Sequence, residues 1–519
     1  MSFIKPVLRD QLMLPYSLDE YVSSEHFVRF IDAFVDKVLS SRSDLLVSQK
    51  GKSVDGRPSY SPNCLCKLLI YGYFNSVSSS RKLEKETHRN LEVIWLMNNL
   101  CPDHWTISDF RKEHKELIRC ITIDFRKFLK DSDYIKGEAV STDGSKIKAY
   151  ASRDALSLKQ INKKLANVEK EIERYLSQVN ENDVIENEQE SLMEMSEELK
   201  DKITFLQNQV EELQSQKERL ESAGCEWMSP TDPEAKLMKS KEGFIPAYNL
   251  QNTVDNDTHF IMSCEVTDYP NDYFSLKENM TTLEEQLDIV PKTCLADGGY
   301  ANEEQIQSLE KEGIECIVSF GKENPNKKIE HENGISFTYN QKDDCFICSQ
   351  GKVLSLIQKN QKKRSHLYNI YQGKQCGNCP VKEHCTKSKK GRLIRKRVDG
   401  EWLKAYKEKG KTKEFKEKYK QRKCVVEHPF GTMKYLMGQI PILLRGKEKV
   451  QVEMDLYSTA YNLIRLRSTE SVSILLAKLE KWQPTAIFLR LLTHYLNIKR
   501  LLYANIYSKV ELSKCYAFL

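Results

Sequence analysis

The chain contains no apolar run long enough to cross a membrane, because Lys or Glu interrupts every candidate stretch. Its first residues, MSFIKPVLRDQLMLPYS, lack the apolar centre and the small-residue cleavage site of a secretory signal. The formal net charge is only +6 over 519 residues. These absences predict an intracellular protein without a membrane partner. Its 15 Cys are then expected to be mostly reduced, so clustered Cys indicate metal ligands rather than disulfides.

Residues 1–135 are predicted to form a helical domain. The segment HFVRFIDAFVDKVLS places its apolar residues on one helical face. Farther along, Thr106 and Asp109 have the spacing of a capping box, which predicts the start of a second helix that runs to about residue 129. Basic residues between the helices suit a DNA-binding domain of the helix-turn-helix type. A plain helical bundle with solvated basic residues is the alternative. The basic residues concerned are Arg57, Arg81, Lys82, Lys85, His88 and Arg89.

The segment EAVSTDGSKIKAY predicts a strand that carries a single carboxylate, Asp143, within residues 136–155. The composition changes over residues 156–224, where apolar residues recur at alternating spacings of four and three. Two such heptad segments flank an acidic, polar break near residues 180–190. They predict an inserted antiparallel helical hairpin or coiled coil, and dimerisation through it is the alternative.

Strand-like patterns return in residues 225–322. GFIPAYNLQNTVD and THFIMSCEVTDY predict a β-hairpin that turns at Asp255 to Asp257, and DYFSLKENMTTLEEQL predicts a helix. TCLADGGYANEEQIQSLEKEGIECIVSF then predicts a short strand ending at Asp297, a Gly-Gly turn, a helix and another strand. Because ligands of α/β sheets lie at the carboxyl ends of strands, Asp297 is a candidate functional residue.

Residues 323–390 have an irregular, polar pattern that contains CFIC and CGNCPVKEHC. Two CxxC pairs separated by a spacer can supply the four sulfur ligands of a structural Zn²⁺ site. A closed shell of four protein ligands implies a structural metal rather than a catalytic one. His384 could replace one ligand, and one of the five Cys need not bind. These candidates are Cys345, Cys348, Cys376, Cys379 and Cys385.

Residues 391–470 combine a strongly basic segment with two helical patterns. Positive charge interleaved with aromatic residues suits contact with a phosphate backbone, and a solvated helix face is the alternative. Glu427 lies in or at the start of a helix that either kinks or begins near Pro429. EMDLYSTAYNLIRLRS predicts an amphipathic helix, and residues 471–519 predict two further helices. The basic candidates nearest the Cys segment are Lys389, Lys390, Arg392, Arg395 and Lys396.

Three carboxylates in separate elements, Asp143, Asp297 and Glu427, can hold hard cations such as Mg²⁺ or Mn²⁺ through oxygen. Two such ions about 4 Å apart can activate a nucleophile and stabilise a leaving oxygen in phosphoryl transfer.

With these motifs the sequence resembles the bacterial insertion-sequence transposases that carry a DDE triad on a ribonuclease H-like fold. The resemblance covers roughly residues 20–470 and rests on STDGSKIKA, TDPEAKLMKSKEGFIPAYNLQNTVD, LADGGY and YKQRKCVVEHPFGTMKYLMG. The last segment looks like the family's Tyr/Arg/Glu/Lys signature, although its Arg-to-Glu gap is one residue longer than in the best-known version. The matching residues are Tyr419, Arg422, Glu427 and Lys434.

The resemblance implies an α/β ribonuclease H-like core with an N-terminal all-α domain, the helical insertion and the Cys-rich zinc-binding insertion. It implies a metal-dependent enzyme that cuts DNA at terminal inverted repeats and joins the freed 3′-OH to target DNA. The enzyme would act as a homodimer and would be located in the bacterial cytoplasm, associated with the nucleoid. Asp143, Asp297 and Glu427 would be the metal ligands, and Arg422, Lys434 and the basic segment would contact DNA. Alternatives are a transposase-derived DNA-binding scaffold, a metal-dependent nuclease without strand transfer, and a zinc and coiled-coil adaptor.

Overall fold

The computed structural model divides the chain into a first unit, residues 1–292 with 424–519, and a second unit, residues 293–423. Strands and helices occur in both units, which confirms the mixed α/β class predicted from the sequence. Arg57 and Lys389 lie outside the described residues. The residues that the structure describes are 17–42, 59–151, 156–185, 191–222, 227–229, 231–240, 243–267, 269–320, 329–330, 335–363, 366–388, 390–398, 400–438 and 442–484.

The first unit begins with helices, as the apolar periodicity predicted. In the first of these helices Phe30, Ile31, Phe34 and Val35 are buried on one face. Pro62 is the first residue of the next helix, where its missing N–H costs nothing. The helices are α1 (Val28–Ser41), α2 (Pro62–Phe74), α3 (Ser80–Arg89), α4 (Leu91–Leu96), α5 (His104–Glu113) and α6 (Lys115–Asp131).

The prediction of a single helix that starts at Thr106 is wrong in two respects. Asp103 is the cap residue, because its carboxylate accepts the backbone N–H of Thr106 at 2.7 Å, so α5 begins at His104. The helix also ends at His114, whose φ of −100° and ψ of 43° separate α5 from α6. There the imidazole stacks on the ring of Phe110 at 4.0 Å and bonds its carbonyl oxygen, which stabilises the break.

A helical hairpin follows β1 (Ala139–Lys148). Short strands β2 (Leu156–Ser157) and β3 (Trp227–Met228) pair at its base, and between them lie α7 (Leu158–Ile185) and α8 (Ser191–Ser222). Ile161 and Leu165, near the start of α7, share a buried cluster with Leu220, near the end of α8. The two helices therefore run antiparallel, as the heptad pattern predicted.

The first unit's sheet places β1 beside a long strand. The order is β4 (Lys236–Ser240), β5 (Gly243–Asp255), β1, and β6 (Ile261–Thr267) also pairs with β5. These pairs are antiparallel, and in the register of β1 with β5 Asp143 faces Asn252. The predicted hairpin of β5 and β6 is confirmed, as is the helix that follows it, α9 (Ser275–Leu287).

The second unit begins with a β-α-β segment in which β7 (Thr293–Ala296) and β8 (Glu315–Val318) are parallel and α10 (Glu303–Lys311) lies between them in sequence. An antiparallel sheet of order β14-β13-β12-β11-β10-β9 follows, and all its strands except β14 lie in the region predicted to be irregular. Its core is small and its strands are largely polar, so the hydrophobic pattern gave little signal. The elements are β9 (Ile329–Glu330), β10 (Ser336–Asn340), β11 (Cys345–Cys348), β12 (Val353–Lys363), β13 (His366–Gly373), α11 (Lys382–Cys385) and β14 (Leu393–Val398).

Helices complete the described chain: α12 (Glu401–Lys409), α13 (Lys413–Met437), α14 (Lys447–Arg467) and α15 (Val472–Lys481). The prediction that α14 is amphipathic is wrong, because it is buried almost all around its middle turns. Its polar side chains have distant partners there; the Asn462 amide, for example, bonds both backbone groups of Ile261 at 2.9 Å.

Of the two helices predicted after residue 471, α15 is one, and Lys499 and Arg500 lie outside the described residues. Within the described ranges, no helix has the length and apolar character needed to cross a membrane.

Candidate functional site

Asp143 lies in the middle of β1, where the strand changes from buried to half-buried residues. Its Oδ1 accepts the backbone N–H of Gly144 at 2.9 Å. The opposite residue on β5 is Asn252, which is fully buried. Because directly opposed residues of antiparallel strands project from the same face, the side chains of Asp143 and Asn252 share one face of the sheet.

The helix that carries Glu427 packs on this same face. Asn252 donates through Nδ2 to the sulfur of Met433 at 3.5 Å, and Met433 is 1 % exposed. Glu427 precedes Met433 by six residues on α13, a rise of about 9 Å along the helix axis. The structure therefore places the part of α13 around Met433 against β5, on the sheet face that Asp143 shares, within the first unit.

The positions of apolar and charged residues along α13 determine which of its side chains remain accessible to solvent. Val426, Phe430 and Met433 are buried, whereas Glu427 and Lys434 are exposed. Residues seven apart lie on the same side of a helix, so Glu427 and Lys434 share one accessible face. The helix does not begin at Pro429, which lies inside it. Pro429 has no N–H to donate to the carbonyl of Val425 one turn back, so one backbone hydrogen bond of the helix is missing around Glu427.

A layer of buried and half-buried polar side chains covers the opposite face of β1 and β5, and the sequence did not predict it. Asp272, in the loop after β6, accepts hydrogen bonds from the amides of Asn249 at 2.8 Å and Gln251 at 2.6 Å. Asn279 on α9 donates to Thr142 at 2.7 Å, directly before Asp143. The sequence NLQNT in β5 could have indicated this layer, because its alternate residues are polar although both faces of the strand are buried.

Asp297 belongs to the second unit and lies immediately after β7, at the carboxyl end of the strand, as predicted. Its Oδ1 accepts the N–H of Gly299 at 2.7 Å and caps the single 3₁₀ turn Gly298–Tyr300. The side chain is half-buried. The Gly-Gly turn therefore fixes this carboxylate at the end of the strand.

The predicted DNA contacts of the second unit fall into two groups. Arg392 and Lys396 face their own sheet, where their charged groups lie over the rings of Phe337 at 5.6 Å and Tyr339 at 3.4 Å. Lys390 and Arg395 are exposed, as is Lys396, whereas Arg392 is half-buried. On α13 the guanidinium of Arg422 lies 5.8 Å from the ring centre of Tyr419.

Four of the five candidate zinc ligands line one pocket of the second unit. Burial raises the pKa of Cys385, and the charges of the other three thiols raise it further, whereas Arg392 lowers it. Cys345 is not among the lining residues. As the side chains are placed, no group of three or more His, Cys, Asp or Glu among the described residues is arranged to hold a metal ion. The lining thiols are Cys348, Cys376, Cys379 and Cys385.

Comparison with known families gives two matches. Residues 347–467 match a family model described as "Transposase DDE domain", and residues 16–113 match "Transposase domain (DUF772)". The first match contains Glu427 and Lys434 but neither Asp143 nor Asp297. Among curated proteins, none matches this chain.

A solved structure, the cryo-EM structure of the piggyBac transposase synaptic complex with hairpin DNA, is similar at 9 % identity with a TM-score of 0.30. The alignment covers 86 % of this chain and 75 % of that one. A similarity this low carries no argument about the fold. The two matched transposase domains, by contrast, support the recognition of this chain as an insertion-sequence DDE transposase.

Proposed function

We propose that the protein is the transposase of an insertion sequence, which binds terminal inverted repeats, cleaves DNA and joins the freed 3′-OH to target DNA. The observation that supports this proposal is the contact of Asn252 with Met433, which joins the helix of Glu427 to β5, the strand that pairs with the strand of Asp143. The matched transposase domains support the same assignment. Asp143, Asp297 and Glu427 are the proposed catalytic carboxylates, in an arrangement of the ribonuclease H type.

The donor set fits Mg²⁺ or Mn²⁺, since hard cations take carboxylate oxygens and retain coordination positions for water and phosphate. Asp143 and Asp297 are half-buried and Glu427 is exposed, so substrate oxygens can reach all three residues. Such ions would supply an activated water or 3′-OH and would stabilise the leaving oxygen. The protein's own contribution is to fix the carboxylates, as the N–H groups of Gly144 and Gly299 do for Asp143 and Asp297.

Basic side chains are proposed to hold the DNA backbone without reading its sequence. Lys434 lies on the same helix face as Glu427 and can contact a phosphate beside the cleaved bond. Tyr419, Arg422, Lys389, Lys390, Arg392, Arg395 and Lys396 remain the other candidates. The helical region before β1 is proposed to bind the terminal repeats. Two protomers are required to hold two element ends, so a homodimer acting on the bacterial chromosome is expected.

The test uses the full-length protein, Mg²⁺ and an end-labelled duplex that contains an inverted repeat flanking the gene. Asp143→Asn, Asp297→Asn and Glu427→Gln are each expected to reduce cleavage to background while repeat binding persists. Glu138→Gln is the control for Asp143, because Glu138 directly precedes β1, is largely exposed and pairs with Lys292. Glu414→Gln is the control on α13, where Glu414 is exposed and pairs with Lys418.

The outcomes separate the proposal from its alternatives. Cleavage followed by joining of the labelled 3′ end to a target plasmid supports a transposase. Cleavage without joining indicates a nuclease, and repeat binding without cleavage by the wild type indicates a DNA-binding scaffold. Unchanged cleavage by any of the three carboxylate variants would remove that residue from the proposed site.

A further inference from the structure

The Cys-rich pocket of the second unit collects thiols from separate segments. Cys348 ends β11, Cys376 ends a 3₁₀ turn after β13, and Cys385 ends α11, with Cys379 between the last two. All four line the same pocket. This convergence is a product of the fold, because the first and last of them are 37 positions apart in the sequence.

Cys345 is separated from this pocket by strand geometry. Successive side chains of a strand project to opposite faces, so Cys345 and Cys348, three residues apart on β11, face opposite ways. Cys345 is 8 % exposed, pairs with Asn340 and Ser355 on the neighbouring strands, and does not line the pocket. The CFIC motif therefore contributes one thiol to the pocket rather than two.

The turn after Cys348 directs a backbone donor at its sulfur. Lys352 donates its N–H to Sγ of Cys348 at 3.3 Å, and Gly351 donates to the carbonyl of Cys348 at 2.9 Å. Gly351 has a φ of +68°, a conformation that favours glycine. An N–H···S bond is stronger to a thiolate than to a thiol, since charge assists the acceptor. The turn is therefore suited to an ionised, metal-bound sulfur.

Two glycines make room for Cys376. A Cβ on Gly373 would lie 2.7 Å from the sulfur of Cys376. A Cβ on Gly391 would lie 2.1 Å from the carbonyl oxygen of Gly373 and 3.3 Å from Cβ of Cys376, and Gly391 has a φ of +91°. Both positions require glycine for the backbone to bring this sulfur into the pocket.

Arg392 supplies positive charge and an unused donor beside the thiols. Its Nη1 donates to the carbonyl of Cys385 at 2.9 Å, and its guanidinium lies over the ring of Phe337. Its Nε is buried and has no hydrogen-bond partner among the described residues. Four thiolates around one divalent cation leave an excess of negative charge, which the guanidinium would balance. A metal-bound thiolate can also accept a hydrogen bond, and the Nε–H of Arg392 is a buried donor that needs such an acceptor.

We propose that Cys348, Cys376, Cys379 and Cys385 bind one structural Zn²⁺ and that Cys345 is not a ligand. Four soft thiolates with no open position are the ligand set of a closed tetrahedral site. As described above, the side chains are not gathered to metal-binding distance, so the metal draws them together and its binding energy stabilises the second unit. The proposal does not depend on the proposed DNA chemistry.

The test measures the metal content of full-length protein purified without chelator and without DNA. The expected result is about one zinc and no iron per chain. Cys376→Ser and Cys385→Ser are expected to lose the zinc, and the matched control Cys345→Ser is expected to keep it. A wild type without zinc, iron in its place, or loss of zinc in Cys345→Ser equal to that in Cys385→Ser would overturn the proposal.

A second measurement guards against variants that fail to fold. The wild type is alkylated before and after zinc removal by a chelator, and the modified Cys are mapped by mass spectrometry. Chelation is expected to increase the alkylation of Cys348, Cys376, Cys379 and Cys385 together, with a smaller change at Cys345. Equal alkylation of the four before and after chelation would contradict the proposed site, whether or not the protein cleaves DNA.

Discussion

The carboxylate of Asp272 fills the space that a side chain on Gly144 would need. A Cβ built on Gly144 would lie 2.0 Å from Oδ1 of Asp272 and 2.6 Å from Nε2 of Gln251. Asp272 cannot easily withdraw, because the amides of Asn249 and Gln251 both donate to that oxygen. Glycine after Asp143 is thus required by packing on the sheet face opposite the proposed catalytic carboxylate.

Gly144→Ala is therefore expected to destabilise the protein by about 1–3 kcal/mol, the usual cost of forcing extra volume into a packed site. The clash should also shift β1 and so reduce the proposed cleavage activity. Urea unfolding measures the first effect. Gly431→Ala is the control, since a Cβ there meets nothing within 4 Å and Ala favours the helix in which Gly431 lies. Equal stability of the Gly144→Ala variant and the wild type would show that Asp272 can move aside.

A second prediction concerns the buried ion pair of Arg42 and Asp124. Both residues are almost completely buried, at 3 % and 0 % exposed, and three hydrogen bonds of 2.6–3.0 Å join them. Asp124→Ala leaves the guanidinium buried without its partner, for which the expected loss is about 3–5 kcal/mol in the free energy of unfolding.

The double variant Arg42→Met with Asp124→Leu distinguishes the cost of an unpaired charge from the cost of lost packing. It is expected to be more stable than Asp124→Ala, because the buried guanidinium is removed together with its partner, while Lys127 loses the same neighbour in both variants. Urea unfolding of the single and double variants provides the comparison. If the double variant is the less stable of the two, packing rather than charge dominates at this site.

The pH dependence of stability can be tested at Glu470. Lys478 and Tyr134 donate hydrogen bonds to its carboxylate, and these bonds lower its pKa below the usual 4.5. A lowered folded pKa means that the stabilisation is fully present above the unfolded pKa of 4.5 and is lost as the pH falls below that value and through the lower folded pKa. The wild type should therefore exceed Glu470→Gln in stability at pH 7, by up to about 1 kcal/mol for a pair this accessible.

Unfolding curves of both proteins at pH 7, 5, 4 and 3.5 test this sign. The difference in free energy of unfolding is expected to shrink only below pH 5. A difference that stays constant down to pH 3.5 would indicate that the charge of Glu470 contributes nothing to folding.

The sequence predicted those elements whose signal is local. The β5–β6 hairpin has a polar turn between two runs of strand-forming residues. Asp297 follows an apolar run and precedes a Gly-Gly turn. Both features can be predicted from neighbouring residues, without knowledge of distant contacts. The burial of Asn462 was not predictable, because its partner Ile261 is 201 residues away. The contact of Asn252 with Met433 likewise joins segments 181 residues apart. The strand of Asp143 and the helix of Glu427 were thus predicted separately, while their packing required the structure.

The last prediction concerns Lys434, whose exposed position on the Glu427 face suits one phosphate contact. Each neutralised phosphate releases bound counterions, so removing one contact should lower the slope of log affinity against log salt by about 0.9. Lys434→Ala is therefore expected to weaken binding to duplex DNA of any sequence, with a shallower salt dependence. Fluorescence anisotropy of a labelled duplex at several salt concentrations measures both. Lys481→Ala is the control, because Lys481 is exposed at the end of α15. A slope reduced equally in the two variants would assign the effect to net charge and remove Lys434 from the proposed DNA contact.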